Sequence, residues 1–158
     1  MDLLVFLPFA LAIGIWVSWS DMKFMKIPNK AVMALFTVWV VVGVFVVPFD
    51  LWLLGLALGA VTLVVTFLAT VVGLIGAGDA KFAAAMAPFF ITADPRFVMA
   101  LFAACLLGAF VGHRGMRLVT PFRAATADWA SWTNKDFPMG LALSGMLIFY
   151  LATPLLKL

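Results

Sequence analysis

Long apolar runs broken by short polar interruptions are the dominant pattern of this chain. Six runs stand out: Leu3–Trp19, Ala31–Val47, Leu51–Ile75, Ala80–Ile91, Phe97–Gly112 and Met139–Leu156. A helix needs about 20 mostly apolar residues to cross a bilayer. The fourth run is shorter and reads as a half-span or a tilted helix. The runs are continuous, whereas barrel strands would alternate in short segments. The pattern therefore predicts an all-α polytopic membrane protein with about six transmembrane helices. Pro28-Asn29 marks a helix start, with Asn29 as the expected N-cap. Pro48-Phe49-Asp50 predicts a tight turn. Gly55-x-x-x-Gly59 and Gly108-x-x-x-Gly112 have the spacing that lets helices approach closely.

Composition agrees. Of 158 residues, 66% are hydrophobic and 11% are charged, with a mean hydropathy of +1.21. A soluble domain is about 45–50% apolar and about 25% charged. The length suits one integral membrane domain over residues 1–158, with no soluble appendage. Cys105 is the one cysteine and His113 the one histidine, so no zinc site of cysteines and histidines can be assembled. Cys105 reads as a small packing residue and His113 as an interfacial residue. The N-terminus, M-D-L-L-V-F-L-P, has no positive flank, so the first run is expected to remain as a helix rather than be removed as a signal.

Charge sets the orientation. Placing the 20–30 loop on one side puts 76–81 and 113–138 on that side too. Eight basic residues fall there: Lys23, Lys26, Lys30, Lys81, Arg114, Arg117, Arg123 and Lys135; only Arg96 and Lys157 fall opposite. The positive-inside rule makes the eight-charge side cytoplasmic and the N-terminus external. The net charge of +3 is loop charge of this kind, and nucleic-acid binding is not expected because the chain has no room for a folded basic surface. Trp129 and Trp132, among mixed charges in 113–138, read as interfacial anchors.

All seven acidic residues are aspartates: Asp2, Asp21, Asp50, Asp79, Asp94, Asp128 and Asp136. Asp21 follows the first run and Asp79 the third, so topology brings both to the cytoplasmic edge although 58 positions separate them. Asp79 sits in G-A-G-D-A-K, residues 76–81. There Gly76 and Gly78 are expected to supply backbone angles closed to other residues, ending one helix and starting the next with Asp79 near its N-terminus. A helix N-terminus favours an ionised carboxylate by about 0.3–1 kcal/mol, which would make Asp79 the charged partner of a pair. Two carboxylates about 4 Å apart repel by about 4 kcal/mol at an effective dielectric of 20, or roughly three pKa units. Such a pair shares one proton: one member takes a proton from water and the other donates to a carbonyl. Lys81 stands beside Asp79 and could steady the ionised form. Lys23 and Lys26 fit positive-inside anchoring better.

Gly76-Ala77-Gly78-Asp79-Ala80-Lys81 resembles the G-x-G-D-x-K signature of the type IV prepilin peptidases, which are membrane aspartic proteases. Asp21 followed by Ile27-Pro28-Asn29 resembles their second aspartate motif. Pro138-Met139-Gly140-Leu141-Ala142 resembles the Pro-x-Gly-x-Ala segment that opens their last helix, with Met139 where a tyrosine is usual. The resemblance implies that Asp21 and Asp79 are the catalytic pair, supported by Gly76, Gly78, Lys81, Pro28, Asn29, Pro138 and Gly140. It implies a pilin-like precursor protein as substrate, with a short basic leader cut after a glycine at the cytoplasmic edge of the inner membrane. It also implies no metal and no cofactor. With 20 residues before Asp21 and no cysteine cluster, the chain is similar to the short subtype of tight-adherence (Flp) pili, and methylation of the new N-terminus is not expected. Two other readings of the aspartates are a small proton- or cation-coupled transporter and a structural subunit of a secretion apparatus. No internal repeat favours the transporter.

Overall fold

The computed structural model describes residues 3–156, and within them the chain is helical with no strand. Asp2 and Lys157, both used in the charge reading, lie outside the described residues. Seven α-helices follow one another: α1 Leu7–Phe24, α2 Asn29–Val46, α3 Phe49–Val71, α4 Ala77–Met86, α5 Pro95–Leu118, α6 Thr120–Ala125 and α7 Met139–Ala152. Short 3-10 turns precede α1 (Leu3–Phe6), extend α4 (Ala87–Phe90), bridge to α7 (Ala130–Trp132) and extend α7 (Thr153–Leu156).

Four helical stretches are long and apolar enough to cross a membrane: Leu4–Phe24, Asn29–Val46, Phe49–Val71 and Pro95–Leu118. A shorter apolar stretch covers Met139–Leu155. The chain is an all-α polytopic membrane protein, as the hydropathy pattern predicts. The fourth apolar run is only the 10-residue α4 and its 3-10 extension. It can be short because it is enclosed by protein: Ala80, Phe82, Ala84, Ala85 and Met86 are buried, as are all four residues of the extension. Irregular backbone at membrane depth is tolerated where protein, not lipid, surrounds it.

Helix α4 packs on α2, α3 and α7, while α1 packs closely along α7. On the far side from the aspartates, Phe6, Trp39 and Phe89 interlock with ring centroids 5.1–5.9 Å apart. Trp39 and Trp52 cross-link α2 to α3 reciprocally. Trp39 Nε1 donates to the Trp52 carbonyl (3.4 Å) and Trp52 Nε1 to the Trp39 carbonyl (3.2 Å). Gly55 leaves the space that the Trp39 ring occupies, and Gly59 faces the Ala84 carbonyl and Pro88. This first glycine pair therefore acts as its spacing predicts. The second does not: among the described residues nothing lies within 4 Å of a side chain added at Gly108 or Gly112, and no described helix packs on that face of α5.

Helix ends depart from expectation in informative ways. Helix α1 runs on to Phe24, so Asp21 lies within its last turns and is buried rather than beyond the helix. The N-cap of α2 is Pro28, not Asn29: the Pro28 carbonyl accepts from Ala31 N–H (2.9 Å) and Val32 N–H (3.2 Å). Helix α3 stops at Val71, before the predicted Ile75, and the residue that needs a left-handed conformation is Gly73, at φ +77°. Gly76 and Gly78 have ordinary φ; they are small for another reason given below. Helix α5 begins on Asp94, whose Oδ1 accepts Arg96 N–H (2.6 Å), and continues past Gly112 to Leu118. His113 is consequently helical and buried, stacked on Trp132 (4.8 Å between centroids) and edge-on to Phe137. Trp132 is buried too, its Nε1 donating to the Thr126 carbonyl at 2.8 Å. His113 and Trp132 thus hold the 120–138 segment onto α5 instead of anchoring at an open interface.

Candidate active site

Asp21 is delivered by the last turns of α1 and buried there at 5% exposure. A buried carboxylate needs hydrogen-bond donors. It receives one from across the bundle: the Gly140 N–H, in the first turn of α7, donates to Asp21 Oδ2 at 2.7 Å. The first N–H groups of a helix have no partner within it, so the α7 N-terminus is a natural partner for an acid. The approach requires glycine. A Cβ at Gly140 would fall 2.9 Å from Asp21 Oδ2, 3.0 Å from Asp21 Cβ and 3.1 Å from Val17 Cγ1. Pro138, at the N-cap of α7, is fully buried beside this junction.

Asp79 arrives from the other direction. The N-cap of α4 is Gly76, so Asp79 is the third helical residue rather than the cap. From there its carboxylate reaches back to the Gly76 N–H, the acidic half of a capping box. Gly76 is small to admit that side chain: an added Cβ would lie 2.7 Å from Asp79 Oδ2. Gly78 is small to admit Ile27, whose Cβ would be 3.3 Å away. The two motif glycines thus act through close approach, not through unusual backbone angles.

The two aspartates share two cavities. One, of about 560 Å³, is lined by both carboxylates together with Ser20, the 24–29 turn, Gly76–Gly78 and Lys81. The other, of about 480 Å³, is lined by both together with Met25, the 73–76 turn, Asn134, Asp136, Phe137 and Met139. The pair therefore stands between two openings. Burial pushes the Asp79 carboxyl up to about 6, the negative charge of Asp21 adds to the rise, and the Gly76 N–H opposes it. Burial outweighs the modest preference of a helix N-terminus for charge. Asp79 is therefore inclined to keep a proton, against what its place near a helix N-terminus suggests, and Asp21 accepts the buried Gly140 N–H.

The lysines take other partners. Lys23 Nζ lies 3.2 Å from Asp128 Oδ2. Lys81 Nζ donates to Asn29 Oδ1 at 3.3 Å, closing one rim of the cleft between α4 and α2. Among the described residues neither bonds Asp21 or Asp79. Lys26 offers its backbone carbonyl to Ser20 Oγ at 2.9 Å, pinning the 20–26 turn. Met139 lines the second cavity, so the position bearing tyrosine in the similar family presents an apolar surface here. Among the described residues no group of three His, Cys, Asp or Glu side chains is placed to hold a metal ion.

Sequence reasoning found Gly140 only through resemblance and missed its role as a donor. A glycine at the second position of a predicted helix was the available signal. It also missed Asn134 and Asp136, which nothing in the local sequence links to residues 21 and 79, and Thr66, whose Oγ1 donates to the Thr62 carbonyl (2.7 Å) in its own helix and lies 3.2 Å from the Ala80 carbonyl of α4, beside Asp79.

A helical membrane protein with two carboxylates facing one cleft, one of them inclined to keep its proton, has the parts for acid–base hydrolysis. Residues 8–113 match the type IV leader peptidase family, and the chain belongs to that family. The matched stretch contains both aspartates and ends before α7. No curated protein and no solved structure matches the chain.

Proposed function

We propose that the chain is an aspartic endopeptidase with Asp21 and Asp79 as its catalytic pair. It removes the short leader of Flp-type type IV prepilins or pseudopilins. The observation that carries this reading is the convergence of two carboxylates, 58 positions apart, on one cleft in a leader peptidase family member. The eight basic residues on their side of the membrane favour the cytoplasmic edge of the inner membrane as the place of cleavage.

The chemistry follows from the proton distribution. Ionised Asp21 takes a proton from a water held between the carboxylates. Protonated Asp79 gives its proton to the scissile carbonyl oxygen as the water oxygen attacks the carbon. The resulting gem-diol collapses when the proton on Asp21 passes to the departing amide nitrogen and a diol hydroxyl returns its proton to Asp79. The C–N bond breaks, and the pair ends as it began. The two groups titrate as a unit, and the hydrogen bond from Gly140 favours keeping the negative charge on Asp21.

The test is to incubate the purified protein with a single-span precursor and sequence the product's N-terminus. The probe carries a Lys/Arg-bearing leader, a glycine before the cut and an apolar helix after it. We expect one new terminus after the glycine from the wild type, and none from Asp21→Asn or Asp79→Asn at equal membrane abundance. Normal processing by either variant, or a loss that tracks proton flux instead of cleavage, would overturn the reading.

A further inference from the structure

Two apolar grooves run into the bilayer from the cleft, and they end differently. One, of about 640 Å³, lies between α2, α3 and α4, and its polar end is Asn29 and Lys81. The other, of about 420 Å³, is bounded by α3 and α5, with α4 and α7 contributing the rest of its lining. Its walls include Thr62 and Thr66 from α3 and Val98 and Phe102 from α5. At its polar end is Asp79 itself. Met139 belongs both to this trough and to the cavity that contains Asp21, Asp79 and Asp136. The trough and that cavity therefore adjoin, with Ile75, Asp79 and Met139 lining both.

We propose that the α3–α5 trough holds the membrane helix of the precursor, and that the Asp136 side of the cleft receives its basic leader. This rests on the peptidase reading above and specifies where its substrate lies. From Asp79 to Phe90 the α4 backbone rises about 18 Å at standard helix and 3-10 pitches, enough to support roughly 12 residues of a parallel helix. An apolar helix laid there ends at Asp79, so the bond at its N-terminal edge comes to the paired carboxylates. Upstream residues then enter a cavity lined by three aspartates and no lysine or arginine, which suits a cationic segment. The other groove ends at a lysine, which suits an anionic group and repels such a leader. The same cationic preference argues against a phospholipid as the main occupant of the trough.

The experiment places a photo-crosslinking phenylalanine derivative at Met99, on the trough, or at Met33, on the other groove; both side chains are about 60% exposed. The full chain in membranes, carrying Asp79→Asn to retain uncut substrate, is irradiated with the single-span precursor used above. We expect precursor adducts from position 99 and at least tenfold fewer from position 33. A preference for position 33, equal yields from both, or only lipid or self-adducts at position 99 would overturn the trough. Separately, with Asp79 intact, Val98→Trp should lower cleavage at least tenfold while Met33→Trp leaves it unchanged; equal effects would count against the proposal. Asp136→Lys should slow a Lys-bearing leader about tenfold and spare a neutral one; equal slowing of both would remove Asp136 from leader recognition. Wild-type cleavage of the same precursor separates the two claims. If it proceeds while adducts form elsewhere, the trough fails and the peptidase reading stands. If it does not proceed, both fall.

Discussion

Helices α7 and α3 are equally apolar in composition, yet α7 buries eight of its 14 residues and α3 buries one of 23, Gly55. Helix α5 resembles α3 in this respect, with only Cys105 and His113 buried. In water such a difference would be impossible, because exposed apolar faces would drive further packing. In lipid the tails solvate leucine as well as a neighbouring helix does, so association depends on close packing and on polar bonds. Helix α7 has both, through Gly140 against α1 and its N–H on Asp21. The outer faces of α3 and α5 have neither. The contrast separates a precise inner unit, α1–α4–α7, from lipid-facing walls.

The most direct way to break the inner unit is to neutralise its acids. Asp21→Asn and Asp79→Asn should each lower leader cleavage by about 10²–10⁴-fold, the usual contribution of a general acid or base, measured as product per unit of protein in membranes.

Gly140→Ala keeps both carboxylates but forces a Cβ to 2.9 Å from Asp21 Oδ2. Overpacking of this kind costs about 1–3 kcal/mol. We expect a tenfold or greater fall in cleavage and a lower melting temperature in detergent. Gly108→Ala and Gly112→Ala sharpen the comparison, because their added methyls meet nothing within 4 Å. Both should retain wild-type cleavage and be neutral or slightly stabilising, since alanine favours helix by up to about 1 kcal/mol over glycine.

A smaller effect follows from the protonation of Asp79. Its carboxyl is raised to about 6 in the folded protein from 3.8, so the folded state binds its proton more tightly. That stabilisation is full below pH 4 and is lost as pH rises through 6. Asp79→Asn removes the cost of burying the ionised form. With allowance for partial solvent screening, its melting temperature should exceed wild type by about 2–4 °C at pH 7.5, and the gap should close towards pH 4. A constant gap across that range would show that burial of this group is not what the variant relieves.

The smallest effect belongs to the periphery. The Lys23–Asp128 pair links α1 to the 126–129 turn, with Asp128 well exposed. Exposed pairs contribute about 0–1 kcal/mol, so Lys23→Ala should change cleavage less than twofold. A larger change would mean that the 120–138 segment helps to shape the cleft.

The helical membrane architecture was legible in the sequence because a spanning segment must satisfy its backbone internally and face hydrocarbon, and continuous apolar runs record both demands. Helix ends were less legible. Asn29 and Asp79 have the chemistry of caps, but Pro28 and Gly76 occupy those positions and release both side chains to the cleft. Likewise Gly73, rather than Gly76, supplies the left-handed turn.

Charge and spacing alone brought Asp21 and Asp79 to one membrane edge, because an even number of crossings separates them. Only the tertiary structure decided which backbone donor each of them accepts and that Asp79 is inclined to keep its proton. Those outcomes depend on a glycine 119 positions from Asp21 and on burial by neighbouring helices. The same holds for the glycine pairs: spacing permits close approach, but the path of the neighbouring helix determines whether anything approaches. Local sequence thus fixed what each segment could become in a bilayer, while packing across the bundle set the geometry and electrostatics of the cleft.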